Sequence, residues 1–575
     1  MDKKEIARFL REMGTLLELS GANPFRARAY HNAARTLETT SADVQALIES
    51  GQLSTLKGIG KSIAELITEY VKTGEAAEYA ALKASIPPGL LEMLHIPGLG
   101  PKKVYTIYQK LGISSVGELE YACQENRLAS LEGFGPKSQE KILQGIAYRK
   151  KTAQWHLYPE VYPHAEYLCT MLRTHPHVIR ISLAGSLRRR KEVIRDIDIL
   201  VSSDDPPAVS RFFTTVEGVE RVLQQGESRV RVLLDVGVQA DLRIVSDEAY
   251  PYALHHFTGS KEHNVALRQL ARSRSLLLNE YGLFRQEEGE RIRCRDEGEI
   301  FQALGLDYIP PELRENRGEI EAAQEGRLPH LLNEEDIQGV FHVHTHYSDG
   351  VDSLEHMARG AQELGYRYLG IADHSKSARY ANGLSPQRVR EQWAEIDRLN
   401  RRLSGITLLK GIELEILPDG SVDDYPEEIL AGFDYVVASV HSRFSLPQEA
   451  MTRRIIRALQ HPHVTMLGHP TGRLLLAREP YAVDLRAVIA AARETGKIIE
   501  INANPRRLDL DWEMCRQAKA EGVKLAINPD AHRVADLAYL RYGVYVARRG
   551  WLEASDVVNT LSLSEVRTFL KARRA

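Results

Sequence analysis

Nine side chains with metal-ligating chemistry occur in the last two-fifths of the chain. The stretch "FHVHTHYSDG" at 341–350 contains His342, His344 and Asp349. The other six lie further along the chain, each at the end of a short apolar run: His374, Glu413, His441, His469, Asp530 and His532. Imidazole nitrogens and carboxylate oxygens suit Zn²⁺, Mn²⁺ or Fe²⁺, and a set of this size is enough for about two or three ions. The residue types therefore predict a multinuclear metal centre.

Seven apolar runs precede these side chains from residue 339 onward. They are "GVFHVHT", "YRYLGIADH", "TLLKGIELEI", "YVVASVH", "VTMLGHP", "KIIEIN" and "KLAINPDAH". Stretches of helical composition mostly separate them, a pattern typical of repeated βα units that close into a barrel. Each run ends in a polar residue: His342 and His344, His374, Glu413, His441, His469, Asn502, and Asp530 with His532. Because active sites of such barrels lie at the C-terminal ends of the strands, we expect these side chains to meet at one mouth.

In this order, the segments "HVHTHYSDG", "ADHS", "GIELEI", "SVH", "GHP" and "DAH" resemble the PHP (polymerase and histidinol phosphatase) metal-dependent phosphoesterases over about residues 339–575. The resemblance implies that all nine side chains are metal ligands and that Glu413 is the bridging carboxylate. It also implies phosphoester hydrolysis, in which metals lower the pKa of a bound water towards about 7. His346 is outside the usual ligand set, and Arg473 and Arg506 are candidates for holding substrate phosphates.

A second acidic cluster lies about 150 residues upstream and has no histidines. Asp196 and Asp198 are two apart in the β-branched run "RDIDIL", and Asp241 lies in a second such run, "QADLRIV". Three carboxylates on neighbouring strands can hold two Mg²⁺ ions about 3.5 to 4 Å apart, the arrangement for in-line nucleotidyl transfer. The upstream "AGSLRRRKEV" adds hydrogen-bond donors and a charge partner for a triphosphate: Gly185, Ser186 and Arg189.

This region resembles the nucleotidyltransferase palm of family X DNA polymerases, and "HFTGSKEHNVALR" resembles the family's Phe-Thr-Gly segment. The resemblance assigns Phe257, Thr258 and Gly259 to a sugar-sensing turn. It places Asn264 against the incoming nucleotide in the minor groove and Arg268 on the template side.

Three positions depart from the family's pattern. His256 stands where Tyr is frequent, so discrimination against ribonucleotides stays open. Ile194 and Arg195 replace the Ser and Gly common in animal relatives, which leaves nucleotide affinity open.

Three Gly-rich turns join predicted amphipathic helices near the start of the chain: "LKGIGKSIAE" (56–65), "IPGLGPKKV" (96–104) and "LEGFGPKSQ" (131–139). They resemble helix-hairpin-helix modules, in which backbone N–H groups at a helix start bind a DNA phosphate without reading sequence. The glycines are Gly58, Gly60, Gly98, Gly100, Gly133 and Gly135, and the flanking lysines are Lys61, Lys102, Lys103 and Lys137. We expect these residues to bind DNA in a salt-dependent way.

The same region resembles the small lyase domain of family X polymerases, whose Schiff-base lysine lies eight residues after the first hairpin glycine. In this chain Leu66 occupies that position. We therefore expect a weak or absent 5′-deoxyribose phosphate lyase activity. Binding of the 5′ end of a gap can persist through Arg26, Tyr30 and Lys61.

Composition excludes several classes of protein. The chain has 575 residues, 43% of them hydrophobic and 27% charged, with a net charge of −3, so it is neither a polycation nor a disordered chain. It contains no apolar run long enough for a membrane span and no secretory signal pattern. The four cysteines are far apart in the sequence, which fits a reducing cytosol. We expect a cytoplasmic monomer.

The patterns predict a multidomain fold with an all-α N-terminal part, an α+β palm and an α/β seven-stranded, TIM-like barrel. The expected boundaries are 1–85 for a lyase-like helical DNA-binding domain, 86–155 for a second helix-hairpin-helix subdomain, 156–245 for the palm, 246–315 for a nucleotide-selection subdomain, 316–338 for a linker and 339–575 for the barrel.

Taken over nearly the whole chain, this order of domains resembles bacterial family X DNA polymerases with a C-terminal PHP domain. The resemblance implies gap filling with dNTPs on gapped or primed DNA, with Mg²⁺ or Mn²⁺ in the palm. For the barrel it implies two to three Mn²⁺ or Zn²⁺ ions and a 3′–5′ exonuclease, 3′-phosphatase or abasic-site endonuclease acting on DNA ends. The alternatives are a DNA-targeted phosphoesterase and an end-binding scaffold with an inactive palm.

Overall fold

The structure is a computed structural model that describes residues 3–40, 44–96, 98–150 and 155–573. It divides into two compact units, Met1–Tyr148 and Arg149–Ala575. The boundary expected near residue 155 adjoins residues 151–154, which lie outside the described residues.

The N-terminal unit is all-α. Its helices are α1 (Lys3–Leu19), α2 (Pro24–Thr39), α3 (Val44–Glu49), α4 (Lys61–Thr73), α5 (Ala77–Ser85), α6 (Pro88–Met93), α7 (Pro101–Leu111), α8 (Val116–Gln124) and α9 (Pro136–Lys150). Helix α1 buries Ile6, Leu10, Met13 and Leu17, whose spacing of three or four residues places them on one face. Two apolar cores result, one beneath α1 to α4 and one beneath α6 to α9.

The palm is a mixed five-stranded sheet with helices. Its elements are β1 (His156–Leu157), α10 (Tyr158–Arg173), β2 (Val178–Leu183), α11 (Gly185–Arg188), β3 (Val193–Ile194), β4 (Asp196–Ser203), α12 (Pro206–Phe213), β5 (Val219–Gln225), β6 (Arg229–Leu234) and β7 (Gln239–Val245). The strand order is β2-β4-β7-β6-β5, and only the β4–β7 pair is parallel. Ile197, Ile199 and Val201 of β4 enter the core, so alternation places Asp196 and Asp198 on the opposite face.

The next segment forms a smaller helical subdomain with a three-stranded sheet. It contains α13 (Tyr250–Thr258), α14 (Lys261–Ser273), β8 (Leu276–Asn279), β9 (Gly282–Arg285), β10 (Arg291–Ile292), α15 (Glu297–Ala303) and α16 (Glu319–Gln324). Helix α16 lies within residues 316–338, where composition predicts a linker. That prediction is wrong, because Ile320 and Ala323 are buried in this subdomain's core. The polar residues that suggested a linker include Glu319, which is itself buried against His263.

The last segment is a barrel of seven parallel strands in sequential order. Strands and helices alternate as β11 (Gly339–Val343), α17 (Leu354–Glu363), β12 (Tyr368–Ile371), α18 (Pro386–Arg402), β13 (Thr407–Glu415), α19 (Glu427–Gly432), β14 (Tyr435–Ser439), α20 (Gln448–Leu459), β15 (Met466–Leu467), α21 (Leu485–Thr495), β16 (Ile498–Asn502), α22 (Trp512–Ala520), β17 (Leu525–Asn528), α23 (Leu540–Arg549) and α24 (Leu563–Lys571). A hydrogen bond from His344 N to Ala531 O, 2.8 Å long, joins the first and last strand ends. The barrel prediction is confirmed.

Helix α23 of the barrel packs against the palm within the second unit. The ring of Tyr158 lies 6.2 Å from that of Tyr542 and 5.6 Å from that of Tyr545, both in edge-on contact. Arg548 on the same helix donates a 2.8 Å hydrogen bond to Glu312. Aromatic contacts thus join the palm to the barrel, and the Arg548–Glu312 pair joins the barrel to the subdomain that follows the palm. Across the described ranges, we find no helix with the length and apolar character that a bilayer span requires.

Candidate active sites

Glu413 lies at the centre of the barrel mouth, at the end of β13. Four imidazoles surround its carboxylate: His374 at 3.0 Å, His469 at 3.1 Å, and His342 and His441 at 3.2 Å. A carboxylate shared by four histidines from four different strand ends can bridge two ions. The role of Glu413 as the bridging carboxylate stays a prediction.

The remaining ligand candidates gather around this carboxylate. Three groups bring ligand atoms within 4.8 Å of one another, and they share members: His344, Asp349, His374 and His532; His342, His344 and Asp530; His374, Glu413 and His441. His469 joins through its contact with Glu413. The structure therefore brings all nine predicted side chains to one mouth, whereas His346 is exposed and lies outside the three groups.

Several buried ring nitrogens at this mouth make no well-aligned hydrogen bond in the described structure, although two of them lie within 3.2 Å of the Glu413 carboxylate. They are Nε2 of His342, both nitrogens of His344, Nδ1 of His374 and Nδ1 of His469. Leaving buried polar atoms unpaired costs about 1–3 kcal/mol each, so a protein keeps them for a reason. Lone pairs aimed into a cluster of carboxylates are the donor set that divalent metal ions take. The residues thus fit a multinuclear metal centre.

Further carboxylates behind the mouth fix the orientation of the imidazoles. Nδ1 of His342 is 2.6 Å from Glu500 Oε1, and Nδ1 of His441 is 2.8 Å from Glu415 Oε2. Each contact selects one tautomer and turns Nε2 towards Glu413, which is how metal-ligating histidines are usually held. Sequence reasoning missed both residues. A signal existed, since each is a carboxylate inside an otherwise apolar run, "GIELEI" and "KIIEIN".

The electrostatics of the mouth keep its carboxylates ionised. Burial by itself would raise the pKa of Glu413, but His441, His342 and His374 hold that pKa well below its usual range. Burial would also raise the pKa of Asp349 and that of Asp530, but neighbouring imidazoles hold both pKa values well below their usual range. The mouth therefore presents ionised oxygens next to ring nitrogens.

Three ligand residues have left-handed backbone: His342 with φ +57°, His469 with φ +23° and Asp530 with φ +51°. Such conformations cost of order 1–3 kcal/mol for residues other than glycine, and they occur preferentially at functional sites. At His342 the strain coincides with a register shift between Val340 and Val343, where β11 bends. The strained backbone thus coincides with candidate metal ligands.

The palm carboxylates lie on one face of the sheet. Asp196 and Asp198 alternate along β4, and Asp241 of β7 is the direct register partner of Asp198. Burial and the neighbouring Asp196 and Asp241 raise the pKa of Asp198 to about 7. Negative charge crowded in this way is typical of a site that receives cations, and carboxylate oxygens are the ligands that Mg²⁺ prefers.

Arginines hold the third carboxylate of the palm. Burial opposes ionisation of Asp241, but hydrogen bonds from Arg229 and Arg231 lower its pKa. The three palm carboxylates are not among the groups of described ligand atoms that approach within 4.8 Å of one another. Asp241 forms ion pairs with Arg229, Arg231 and Arg243.

The predicted nucleotide-binding residues lie on both sides of this face. Gly185 has φ +57°, and a Cβ atom there would be 1.9 Å from Oδ2 of Asp198, so only glycine fits. Arg189 donates to Glu315 at 2.9 Å and to Thr258 O at 2.8 Å, which links the loop after β2 to the end of α13. The loop at 185–192, which we name the nucleotide loop, is thus anchored at a glycine and an arginine.

The Phe-Thr-Gly turn ends α13. Asn264 donates to His256 O at 2.7 Å and thereby fastens α14 to the turn, while its Oδ1 is buried without a hydrogen-bond partner in the described structure. Arg268 Nη2 is 2.9 Å from Nδ1 of His256. The guanidinium of Arg243 lies 4.9 Å from the ring of Phe257. These contacts bring Phe257, Gly259, Asn264 and Arg268 into one cluster near the palm face.

The three Gly-rich turns share one geometry. Their first glycines, Gly58, Gly98 and Gly133, have φ of +99°, +87° and +86°. Gly60 and Gly100 are the N-caps of α4 and α7 and have no side-chain cap. No atom lies within 4 Å of a Cβ built at Gly60, Gly98, Gly100, Gly133 or Gly135. Each turn thus leaves open space where a phosphate could approach a helix start.

Known protein families match four segments of the chain, and one relative matches nearly its whole length. Models of a helix-hairpin-helix domain, a SAM-like helix-hairpin-helix tandem, the DNA polymerase beta thumb and the PHP domain match residues 1–76, 90–147, 253–315 and 341–504. The DNA polymerase/3′-5′ exonuclease PolX of Bacillus subtilis is 38% identical over 579 residues, which is 99% of this chain and 100% of that protein. This chain belongs to the PHP-containing family X DNA polymerases.

The barrel has a second set of relatives. A probable phosphatase of Thermoanaerobacter sp. (strain X514) is 29% identical over 247 residues, 41% of this chain and 96% of that protein. A probable phosphatase of Caldicellulosiruptor saccharolyticus is 31% identical over 212 residues, 34% of this chain and 81% of that protein. The PHP domain of this family X polymerase is therefore similar to proteins in which the matched region makes up most of the chain.

Two arginines expected to hold substrate phosphates belong to the barrel of this family X polymerase. Arg473 donates to the carbonyls of Arg507 and Leu508, and its Nη2 is 3.9 Å from Glu192 of the nucleotide loop. Arg506 is buried. Arg473 therefore braces the barrel against the palm, and its role towards a phosphate stays a prediction, as does that of Arg506. Leu66, at the lyase position, is buried in the N-terminal core.

Proposed function

We propose that this chain fills short gaps in DNA at the palm and removes nucleotides from DNA 3′ ends at the barrel. The observation that carries the proposal is the presence of two separate sites in one chain, three carboxylates on the palm sheet and nine ligands at the barrel mouth. The relative from Bacillus subtilis, similar over its whole length, is named for both activities.

At the palm, the nucleotide loop and the Phe-Thr-Gly turn would bind the incoming dNTP. Gly185 leaves room for Asp198, Ser186 and Arg189 supply hydroxyl and guanidinium donors to the triphosphate, and Asn264 offers the unpaired Oδ1. Asp196, Asp198 and Asp241 would hold two Mg²⁺ or Mn²⁺ ions, which when bound neutralise charge on the phosphates and align the reacting groups.

At the barrel, the nine ligands would hold two to three Mn²⁺ or Zn²⁺ ions. When bound, these ions supply Lewis-acid activation of a water and of the phosphate. The chain's own contribution is orientation: Glu500 and Glu415 fix two imidazoles, and burial of the ligands excludes competing water. The same metal ligands could also support a 3′-phosphatase or an abasic-site endonuclease. The DNA substrate that the barrel hydrolyses distinguishes these two activities from the exonuclease.

Gapped or primed DNA is the proposed partner of the N-terminal unit. The three Gly-rich turns support binding of gapped or primed DNA through phosphates, with Lys61, Lys102, Lys103 and Lys137 beside them. We also propose that the chain is a cytoplasmic monomer. Its lyase activity should be weak or absent, because Leu66 has no amine to form a Schiff base. Borohydride trapping of the chain on a 5′-deoxyribose phosphate would contradict the last point.

A substrate panel tests the proposed function. The chain is incubated with Mn²⁺ and 5′-labelled DNA carrying a one-nucleotide gap, a recessed 3′ hydroxyl, a 3′ phosphate or an abasic site, with and without dNTPs. We expect extension by one nucleotide at the gap and, without dNTPs, a ladder of shortened primers. Conversion of the 3′ phosphate alone, or cleavage of the abasic strand alone, would replace the exonuclease proposal with one of the other two hydrolytic activities.

A further inference from the structure

The nucleotide loop of the palm is in direct contact with the barrel. Arg190 lies 4.1 Å from the ring of Tyr545 on α23, and Glu192 lies 3.9 Å from Arg473 and 4.0 Å from Arg549. These barrel residues lie outside the metal mouth. The barrel therefore borders the part of the palm that we expect to bind the triphosphate.

Glu315 is shared between the two domains. Its Oε1 accepts from Nε of Arg189 at 2.9 Å and lies 3.6 Å from Nη2 of Arg549, the last residue of α23. The side chains are 13%, 11% and 3% exposed, so solvent screens these charges little. A nucleotide-loop arginine and a barrel arginine thus compete for one carboxylate oxygen.

Three guanidiniums share two carboxylates at this contact. Glu315 faces Arg189 and Arg549, and Glu192 faces Arg473 and Arg549. Nε and Nη1 of Arg549 are buried without a hydrogen-bond partner in the described structure. The same guanidinium lies 5.2 Å from the ring of Trp512, and the carboxylates it pairs with are Glu315 at 3.6 Å and Glu192 at 4.0 Å. A buried cation depends on such partners, so the position of Arg549 is coupled to the two carboxylates that touch the nucleotide loop.

We propose that Arg549 is a positioning residue of the polymerase's nucleotide site, supplied by the barrel. Arg549 shares the carboxylate of Glu315 with Arg189. Glu315 therefore neutralises the positive charge of Arg189 less than it would if the two formed an exclusive ion pair. Arg189 then stays oriented by Glu315 while retaining positive charge for a triphosphate. The inference rests on the proposed function, in which Arg189 binds the dNTP.

The test is steady-state filling of a one-nucleotide gap by the full chain with Arg549→Met. Without Arg549, Glu315 pairs with Arg189 alone and competes with the triphosphate. We expect KM for the dNTP to rise about tenfold, within the usual range of coupling between sites, while kcat changes less than about twofold. Arg541→Met is the matched control on the same helix, since Arg541 is half exposed and pairs with Glu334. It should leave KM unchanged.

A double-mutant cycle distinguishes this role from a structural one. In the Glu315→Gln background the competing charge is gone, so adding Arg549→Met should no longer raise KM. An equal rise in KM in both backgrounds, or an unchanged KM for Arg549→Met alone, would overturn the inference. Retained 3′-end digestion and an unchanged unfolding temperature show that each variant is folded. If the unaltered chain extends no primer, the proposed function fails first, and the two failures are thereby distinguished.

Discussion

Gly185 and Asp198 approach so closely that a methyl group on Gly185 would lie 1.9 Å from the Oδ2 atom of Asp198. The two residues belong to different elements, the start of α11 and the middle of β4. Their contact joins the loop expected to bind the triphosphate to the carboxylates expected to hold the metals. A side chain at Gly185 would have to displace Asp198.

Gly185→Ala should therefore reduce gap filling about a hundredfold or more, the usual effect of misplacing a catalytic group by about 1 Å. Digestion of 3′ ends at the barrel should be unaffected. The matched control is Gly218→Ala, which has the same left-handed strain at φ +91° but only an Asp235 oxygen at 3.9 Å. Both variants are assayed on one gapped substrate, and equal polymerase activity in the two would show that the contact is unimportant.

Glu415→Gln tests the carboxylates behind the barrel mouth. The carboxylate of Glu415 fixes His441, and its loss should weaken metal binding and 3′-end digestion by about 10- to 100-fold. The readouts are metal content after dialysis and the digestion rate. Glu427→Gln changes a carboxylate–histidine pair on the same barrel, with His463, outside the mouth. It should retain activity, and an equal loss in both variants would mean that His441 is not held for metal binding.

Glu297→Gln tests the charged core between the palm and the neighbouring subdomain. Burial alone would raise the pKa of Glu297, but Arg314 and Arg188 lower it to about 2. The ion pairs should therefore stabilise the fold fully above the unfolded-state pKa of about 4.5, and this contribution should be lost as the pH falls towards 2.

Removing the carboxylate leaves two arginines without their partner, so we expect the free energy of unfolding at pH 7 to fall by about 3 kcal/mol. Denaturant titrations at pH 7 and pH 4 measure the difference between variant and unaltered chain, which should shrink at the lower pH. Glu299→Gln, on the same helix but in an exposed pair with Arg295, is the control and should change stability little. A difference that grows on acidification would contradict the assignment.

Lys137→Ala tests phosphate binding by the third Gly-rich turn. Lys137 is exposed beside Gly135 at the start of α9. Its removal should weaken DNA binding equally for unrelated sequences and reduce the slope of log K against log salt by about 1. Lys141→Ala, one turn further along the same helix and also exposed, should keep the slope. Fluorescence anisotropy over a salt series measures both, and an unchanged slope for Lys137→Ala would remove this turn from the DNA contact.

Residues with strong local patterns were predictable from the sequence. The seven barrel strands and the convergence of candidate ligands at their ends follow from apolar runs that each finish in a polar residue, because parallel strands bring their C-terminal ends together. The palm carboxylates follow from alternation along two β-branched runs.

What could not be predicted depends on contacts between distant segments. Residues 316–338 look like a linker by composition, yet the apolar positions Ile320 and Ala323 pack into a core whose other residues begin about 70 positions earlier, at Tyr252. Glu315 has an ordinary sequence context, and its partners Arg189 and Arg549 are 126 and 234 residues away. The arginines on Asp241 are visible in the sequence only as a β-run with alternating charge, "RVRVLL".

The account depends most on the independence of two active sites, and one experiment tests it directly. The chain and its Asp198→Ala and His344→Ala variants are incubated with Mn²⁺ and gapped DNA, and primer extension and primer shortening are measured on the same 5′-labelled strand. The account predicts that Asp198→Ala abolishes extension and retains shortening, and that His344→Ala does the reverse. Loss of both activities in either folded variant would contradict it.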